Sequence, residues 1–149
     1  MSLKDRLASD LQEAMRSGDE LRKSTIRMAR AAIKNAEIAA MAELDDAGVQ
    51  DVLRKEIKQR RESAEEYRRG NRPDLAEKEL AEAAILEAYL PRQMSEQEIE
   101  AQVRDIIREV GASGPRDMGK VMPVAMARLK GRADGRTVNQ VVSRLLSQG

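Results

Sequence analysis

The last third of the chain carries three stripes of apolar residues that repeat with the period of an α-helix. The first stripe ends before Gly111 and the second before Gly131, and a glycine commonly follows the end of a helix. Helices with a single apolar face bury that face against one another, so this part predicts a small three-helix bundle. The three sets are Ile99, Val103, Ile106, Ile107 and Val110; Met118, Val121, Met122, Ala125 and Leu129; and Val138, Val141, Val142, Leu145 and Leu146.

Four more helices are predicted upstream. Ser2 can cap a first helix that ends at Gly18, and Asp19 can cap a second that runs to about Glu43. The inner stripe of this second helix is Ile26, Ala29, Ile33, Ala36 and Ala40. The segment LDDAGVQD predicts a turn, followed by a third helix over about residues 49–69. Pro73 suits the first turn of a fourth helix that continues towards Tyr89.

Composition agrees with an all-helical chain, because Tyr67 and Tyr89 are the only aromatic residues and strong helix formers dominate. Pro91 interrupts the pattern, and Ser95 with Glu98 forms a capping box directly after it. We therefore predict an all-α protein, with an N-terminal four-helix domain over residues 1–93 and a C-terminal three-helix bundle over 94–149.

The residue types exclude several kinds of chemistry. The chain has no Cys and no His, so thiol nucleophiles, thiolate and imidazole metal sites and the commonest general base are missing. We expect no catalytic residues, no metal, no cofactor and no independent enzymatic activity. The charged N-terminus and the lack of a long apolar run predict a cytoplasmic protein without a membrane span.

The segment GPRDMGKVM nearly matches a phosphate-binding loop, but three features argue against ATP binding. Val121 follows Gly-Lys where a hydroxyl is needed for magnesium, and a helix precedes the segment instead of a strand. Met118, Val121 and Met122 also belong to a helix stripe, which puts Gly119 and Lys120 inside a helix turn. The match is a coincidence of spacing.

Other charged or sulfur-containing patterns favour structural roles. Asp45–Asp46 and Glu65–Glu66 do not converge on a helix. Glu65 lies four residues from Arg61 and from Arg69, as Glu62 does from Lys58, and this spacing predicts ordinary ion pairs on the helix surface. The basic run over residues 54–72 favours a solvated helix over a second polyanion surface. Met28, Met118 and Met122 are expected to fill the core.

The charge is unevenly distributed along the chain. Residues 1–109 carry a net charge of −4, whereas residues 110–149 carry seven Lys or Arg against two Asp. A basic end suggests a polyanion-facing surface, although a merely solvated basic face remains the alternative. The candidate RNA-binding residues are Arg116, Lys120, Lys130, Arg132 and Arg136. Gly119, inside a helix turn, and Gly131 and Gly135, which flank a tight connection, are expected to be structural.

The same residues carry a resemblance to a known family. RDMGKVMPVAMARLKGRADGRTVNQVV resembles the C-terminal signature of the GatB/YqeY family. SLKDRLASDLQEAM, STIRMARAAIKNAEI and ILEAYLPRQMSEQEIE are similar to the rest of a stand-alone YqeY-like protein, so the resemblance covers essentially the whole chain.

The resemblance implies RNA binding more directly than catalysis. In the B subunit of tRNA-dependent amidotransferase, which converts misacylated Glu-tRNA or Asp-tRNA with ammonia from glutamine, a similar tail helps to engage tRNA. The catalytic cradle of that subunit, with its ATP and magnesium sites, has no counterpart here. The resemblance makes Lys120, Lys130, Arg132 and Arg136 candidate tRNA contacts. Pro123 departs from the family pattern and is expected to kink or split a helix that begins near Pro115.

These observations favour a non-catalytic tRNA-binding or adaptor protein. One alternative is an accessory component of glutamine-dependent carbon–nitrogen ligation, in contact with the amidotransferase or aminoacyl-tRNA machinery. The other is a protein-interaction module that uses the N-terminal helices.

Overall fold

A computed structural model describes residues 1–148, which form seven α-helices and one short 3-10 helix, Pro115–Asp117. The helices are α1 (Leu3–Ser17), α2 (Glu20–Ala40), α3 (Asp46–Arg69), α4 (Pro73–Glu87), α5 (Glu96–Val110), α6 (Met118–Arg128) and α7 (Gly135–Gln148). No strand occurs within these residues, and the predicted all-α class is confirmed. None of the helices is long and apolar enough to cross a membrane.

Local capping explains most of the helix ends. The Ser2 hydroxyl accepts the Asp5 N–H and the Asp5 carboxylate accepts the Ser2 N–H, which closes a capping box at the start of α1. Gly18, with φ 74°, ends this helix in the left-handed region that glycine adopts without strain. Ser95 caps α5 by accepting the Glu98 N–H, but the predicted capping box closes only halfway, because the Glu98 carboxylate accepts a hydrogen bond from Arg92 at 3.0 Å.

The connection between α2 and α3, residues 41–45, lies about three residues earlier in the chain than predicted. α2 ends at Ala40, because Met41 takes a left-handed conformation with φ 54°, and does not reach Glu43. α3 already begins at Asp46, because the Asp45 carboxylate accepts the Gly48 N–H and caps the helix there. Most of the segment predicted as a turn is therefore the first turn of α3.

The described chain falls into two compact units, which we call the first unit (Met1–Leu90) and the second unit (from Pro91 onward). In the first unit, α3 and α4 form a helical hairpin, and the core includes Leu7, Ile26, Leu53 and Leu86. The predicted stripe of α2 is buried at Ile26, Ala29 and Ile33 but not at Ala40. The expectation that Met28 fills the core is wrong, because its side chain is 55% exposed.

In the second unit, α5, α6 and α7 bury their predicted stripes against one another, with Val103, Ile106, Val121 and Val142 fully enclosed. Met118 and Met122 pack against this core. Pro123 does not split α6, which runs unbroken from Met118 to Arg128. The break predicted for a helix beginning near Pro115 lies instead before Met118, where the 3-10 turn ends.

Candidate nucleic-acid interface

The connection between α6 and α7 is held by backbone hydrogen bonds. The Leu129 carbonyl accepts the N–H groups of Arg132 (3.0 Å) and Ala133 (3.1 Å), and Gly131 turns the chain with φ 80°. The segment before α5 donates hydrogen bonds to two further carbonyls of the connection. The Met94 N–H donates to the Arg132 carbonyl at 2.8 Å. The Gln93 side-chain amide donates to the Gly131 carbonyl at 3.1 Å. These hydrogen bonds fix the backbone of the connection and leave its side chains free to face solvent.

Three of the predicted cations belong to this region. Lys130 and Arg132 lie in the connection and Arg136 in the first turn of α7; all three are exposed. None of the three forms an ion pair with an acid among residues 1–148. Asp134 lies between them, but its carboxylate faces the start of α7, where it accepts the Arg136 N–H at 3.4 Å. We call Lys130, Arg132 and Arg136 the basic connection.

The other two predicted cations lie at the opposite end of α6. Arg116 is exposed in the 3-10 turn, and Lys120 lies in the first turn of α6 with Nζ 3.6 Å from Asp117 Oδ1. A hydrogen bond from the Ser113 N–H and the nearby Lys120 charge hold the pKa of Asp117 below its usual value, so this acid stays ionised. The eight residues of α6 from Lys120 to Arg128 rise about 12 Å, and Lys130 lies beyond that end of the helix. The structure thus clusters three of the five candidates and sets two apart.

Most other arginines of the second unit are paired with acids. Arg128 donates to both carboxylate oxygens of Glu109, at 3.1 and 2.6 Å. Arg144 lies 3.4 Å from Glu100, which also binds Arg104 at 2.9 Å. The contrast with the basic connection shows that its positive charge is not balanced within the described part of the chain.

The three predicted glycines have different surroundings. A Cβ at Gly135 would lie 3.0 Å from Met126 Cε, so the end of α6 approaches the start of α7 closely there. Gly131 supplies the left-handed turn described above. Gly119 lies inside the first turn of α6, and the space where a Cβ would be is open.

A small depression of about 110 Å³ adjoins the basic connection. Its walls are Met126, Leu129, Lys130, Gly131, Ala133 and Val138. The depression is mostly apolar with one cation at its edge, and its volume is smaller than the roughly 300 Å³ at which ordinary ligand pockets begin.

Five of the eight cations in the basic run over residues 54–72 have an acidic partner, whereas Lys55, Lys58 and Arg69 have none within residues 1–148. Arg54 pairs with Asp51, Arg61 with Glu87, Arg68 with Glu65 and Arg72 with Asp74. The four-residue pairs predicted for Glu65 are wrong, because Glu65 binds Arg68 and Arg61 reaches across to α4. Asp45 caps α3 and Asp46 accepts the Leu3 N–H at 2.9 Å, so both acids of this pair have structural partners.

Sequence reasoning missed the buried charges of the first unit. Arg60 is 5% exposed and Glu82 8% exposed, and their side chains bond at 3.1 Å between α3 and α4. The only sequence signal is that Arg60 falls on the same helical face as Leu53 and Ile57. Within residues 1–148, no group of three or more Asp, Glu, His or Cys side chains is placed to hold a metal.

Comparison with known proteins gives a consistent family. The sequence model of the family described as "Yqey-like protein" matches residues 4–146. "Altered inheritance of mitochondria protein 41, mitochondrial" from Lachancea thermotolerans is 42% identical over 112 residues, or 73% of this chain and 60% of the relative. The protein of that name from Pyrenophora tritici-repentis is 37% identical over 131 residues, 86% of this chain and 71% of the relative. The one from Kluyveromyces lactis is 42% identical over 113 residues, with coverages of 73% and 60%.

Two consequences follow from these relatives. The chain spans only about 60% of the length of two of them, those from Lachancea thermotolerans and Kluyveromyces lactis. All three are named as mitochondrial, which overturns the expectation of a cytoplasmic protein. The charged N-terminus and the lack of a membrane span on which that expectation rested are compatible with more than one compartment.

Proposed function

The chain belongs to the YqeY-like family, and on that premise we propose that it is a non-catalytic adaptor that binds tRNA through the basic connection. The observation that carries the proposal is the exposure of Lys130, Arg132 and Arg136 without acidic partners in the described chain. Phosphate groups need only such cations and free N–H donors, and no aromatic platform. Arg116 and Lys120 would extend the contact along α6.

The mode of recognition follows from what surrounds these cations. Both tyrosines lie in the first unit, so the basic connection has no aromatic side chain on which a base could stack. Binding would therefore depend on the backbone and shape of folded RNA more than on a single-stranded sequence. We also propose that the two units act as separate domains, a four-helix domain and a three-helix domain.

The test is charge reversal of the basic connection in the full chain. Lys130→Glu, Arg132→Glu and Arg136→Glu together should weaken tRNA binding by roughly 2–4 kcal/mol at low salt, on the scale of hydrogen bonds to charged groups. The slope of log affinity against log salt should fall by about one unit for each phosphate group that the variant no longer binds. Helix content should not change, because these side chains lie off the buried stripes.

A matched control is available on α3. Lys55, Lys58 and Arg69 are exposed and make no ion pair within residues 1–148, so reversing them changes the net charge by the same amount. Binding by the variant of the basic connection that equals binding by the parent, or a larger loss in the α3 control, would refute the proposed site.

A second candidate function is an accessory role in glutamine-dependent amidation, through contact with an amidotransferase subunit. Two exposed apolar side chains at the end of α2 favour a protein partner: Ile38 is 66% and Met41 92% exposed. Capture of RNA and protein with the full chain from its own cell extract separates the two functions. Copurified tRNA supports the first, and a protein complex that loses its partner on Ile38→Asp and Met41→Asp substitution supports the second.

A further inference from the structure

A row of cations runs along one face of α2. Arg27, Arg30 and Lys34 follow one another at intervals of three and four residues. At about 100° of rotation per residue, the three side chains lie within an arc of about 60° and span about 10 Å along the helix axis. We call these three residues the α2 row.

The α2 row is exposed and carries unbalanced charge. All three residues are exposed, whereas the apolar face of the same helix is buried at Ile26 and Ile33. No acid among residues 1–148 forms an ion pair with any of the three. Within the described residues, the Arg27 guanidinium donates one side-chain hydrogen bond, to the Met15 sulfur at 3.6 Å.

A groove between α1 and α2 continues the row. Its volume is about 400 Å³, and Arg30 and Lys34 line it together with Lys4 and Glu37. Glu37 is the single acid of the groove, and it is already engaged by Lys4 Nζ and by the Leu44 N–H, both at 2.8 Å. These two hydrogen bonds, with Lys4 the stronger cause, hold the pKa of Glu37 below its usual value. The groove therefore keeps a net positive charge from Arg30 and Lys34.

We propose that the α2 row is a second phosphate-contact surface, which holds the backbone of a folded RNA on the first unit. A linear row of one sign without an enclosed cavity complements a polyanion better than a single phosphate group. Protein interfaces have aromatic anchors and few charges at their centre, and the α2 row has the opposite composition. The inference shares its class of partner with the proposed function but rests on different residues in a different unit.

The experiment removes the row by substitution in the full chain. Arg27→Gln, Arg30→Gln and Lys34→Gln keep side chains of similar helix propensity, so helix content should stay unchanged. The control is Lys55→Gln, Lys58→Gln and Arg69→Gln, which removes the same charge from α3. The probe is a fluorescently labelled, folded tRNA transcript, followed by anisotropy from about 50 to about 200 mM salt. We expect an affinity loss on the order of ten-fold and a salt slope smaller by about two units for the α2 variant, and little change for the control.

A position-specific readout accompanies the affinity measurement. Ala31 is exposed and lines the groove beside Arg30, whereas exposed Ala39 lies about 120° around the helix from the row. A photo-crosslinking residue at Ala31 should attach to the RNA, and one at Ala39 should not.

The outcomes separate this inference from the proposed function. Loss of binding in the α2 variant with parent-like binding in the variant of the basic connection keeps the inference and refutes the proposed site. The reverse pattern overturns the inference and keeps the proposed site. Equal behaviour of the α2 and α3 variants, a cross-link from Ala31 to protein in place of RNA, or a parent chain that does not bind tRNA would each overturn the inference.

Discussion

The buried Arg60 guanidinium contacts three side chains, and removing one acidic partner should show how much an unpaired buried charge destabilises the protein. Arg60 Nε donates to Glu82 at 3.1 Å, Nη1 donates to Glu56 at 3.2 Å, and Nη2 lies 3.9 Å from the Met28 sulfur. The pair therefore links α3 to α4, and its guanidinium also reaches α2. Burial, followed by the nearby Glu82 charge, raises the pKa of Glu79, whereas the Arg60 charge lowers it.

The magnitude follows from the distance and the burial. Opposite charges 3.1 Å apart attract by about 5 kcal/mol at an effective dielectric constant of about 20. In the intact pair, desolvation of both ions offsets most of this attraction. Glu82→Gln removes the charge and keeps the shape, so Arg60 remains desolvated with only Glu56 as a charged partner. We expect Glu82→Gln to lower the free energy of unfolding by about 2–4 kcal/mol.

Replacing both partners should be far less harmful than removing one. Arg60→Met with Glu82→Leu removes both charges of the buried pair and leaves unpaired only Glu56, whose side chain is 17% exposed, so the stability of this variant should lie within about 1 kcal/mol of that of the parent chain. The exposed pair Arg68–Glu65 supplies the control, and Glu65→Gln should change stability by less than about 0.5 kcal/mol.

Tyrosine fluorescence during urea unfolding measures these effects in the first unit alone. Tyr67 lies in α3 and Tyr89 follows α4, and the chain contains no Trp. Unfolding of Glu82→Gln at the same urea concentration as Glu65→Gln would refute the assigned cost of the unpaired charge. A double variant as unstable as Glu82→Gln would refute it as well.

Three further predictions concern single features. Burial and the Asp10 carboxylate raise the pKa of Tyr89 from 10.0 to about 12, so the folded state favours the neutral phenol. On the order of 2 kcal/mol of stability should therefore be lost as the pH rises from about 10 through about 12. Urea titrations of the Tyr89→Phe variant should lack this loss. Pro123→Ala restores an N–H that can donate to the Gly119 carbonyl, so it should raise the melting temperature and increase the free energy of unfolding by about 1–3 kcal/mol. An unchanged or lower melting temperature would contradict the assignment of Pro123 to a helix interior. The purified chain, given ATP, magnesium, glutamine and misacylated tRNA, should neither hydrolyse glutamine nor amidate the aminoacyl group. The reason is that the sequence has no Cys, no His and no nucleotide-binding loop. Turnover above a control without protein would disprove this.

The sequence alone was enough to predict the seven helices and most of their buried faces, although Met28 and Ala40 are exposed where burial was predicted. Periodic apolar residues and local caps act within one or two turns, so Ser2, Gly18, Ser95 and Gly111 mark helix ends that the structure also has. The stripe of α7 is buried at every predicted position, because a helix with a single apolar face is stable in only one orientation, with that face towards the core. Because these signals are local, the all-α class and the family resemblance can both be recognised in the amino-acid sequence.

Tertiary structure alone decided which charges are balanced. Sequence spacing suggested that Arg61 and Glu65 pair within α3, but α4 brings Glu87 to Arg61 and Glu82 to Arg60 from more than twenty residues away. A charged side chain pairs with whichever acid or base the packing of another helix brings near it. Its partner therefore cannot be read from the neighbouring sequence alone. Packing against α4 therefore supplies acidic partners for Arg60 and Arg61, whereas the basic connection and the α2 row have no acidic partner within the described residues.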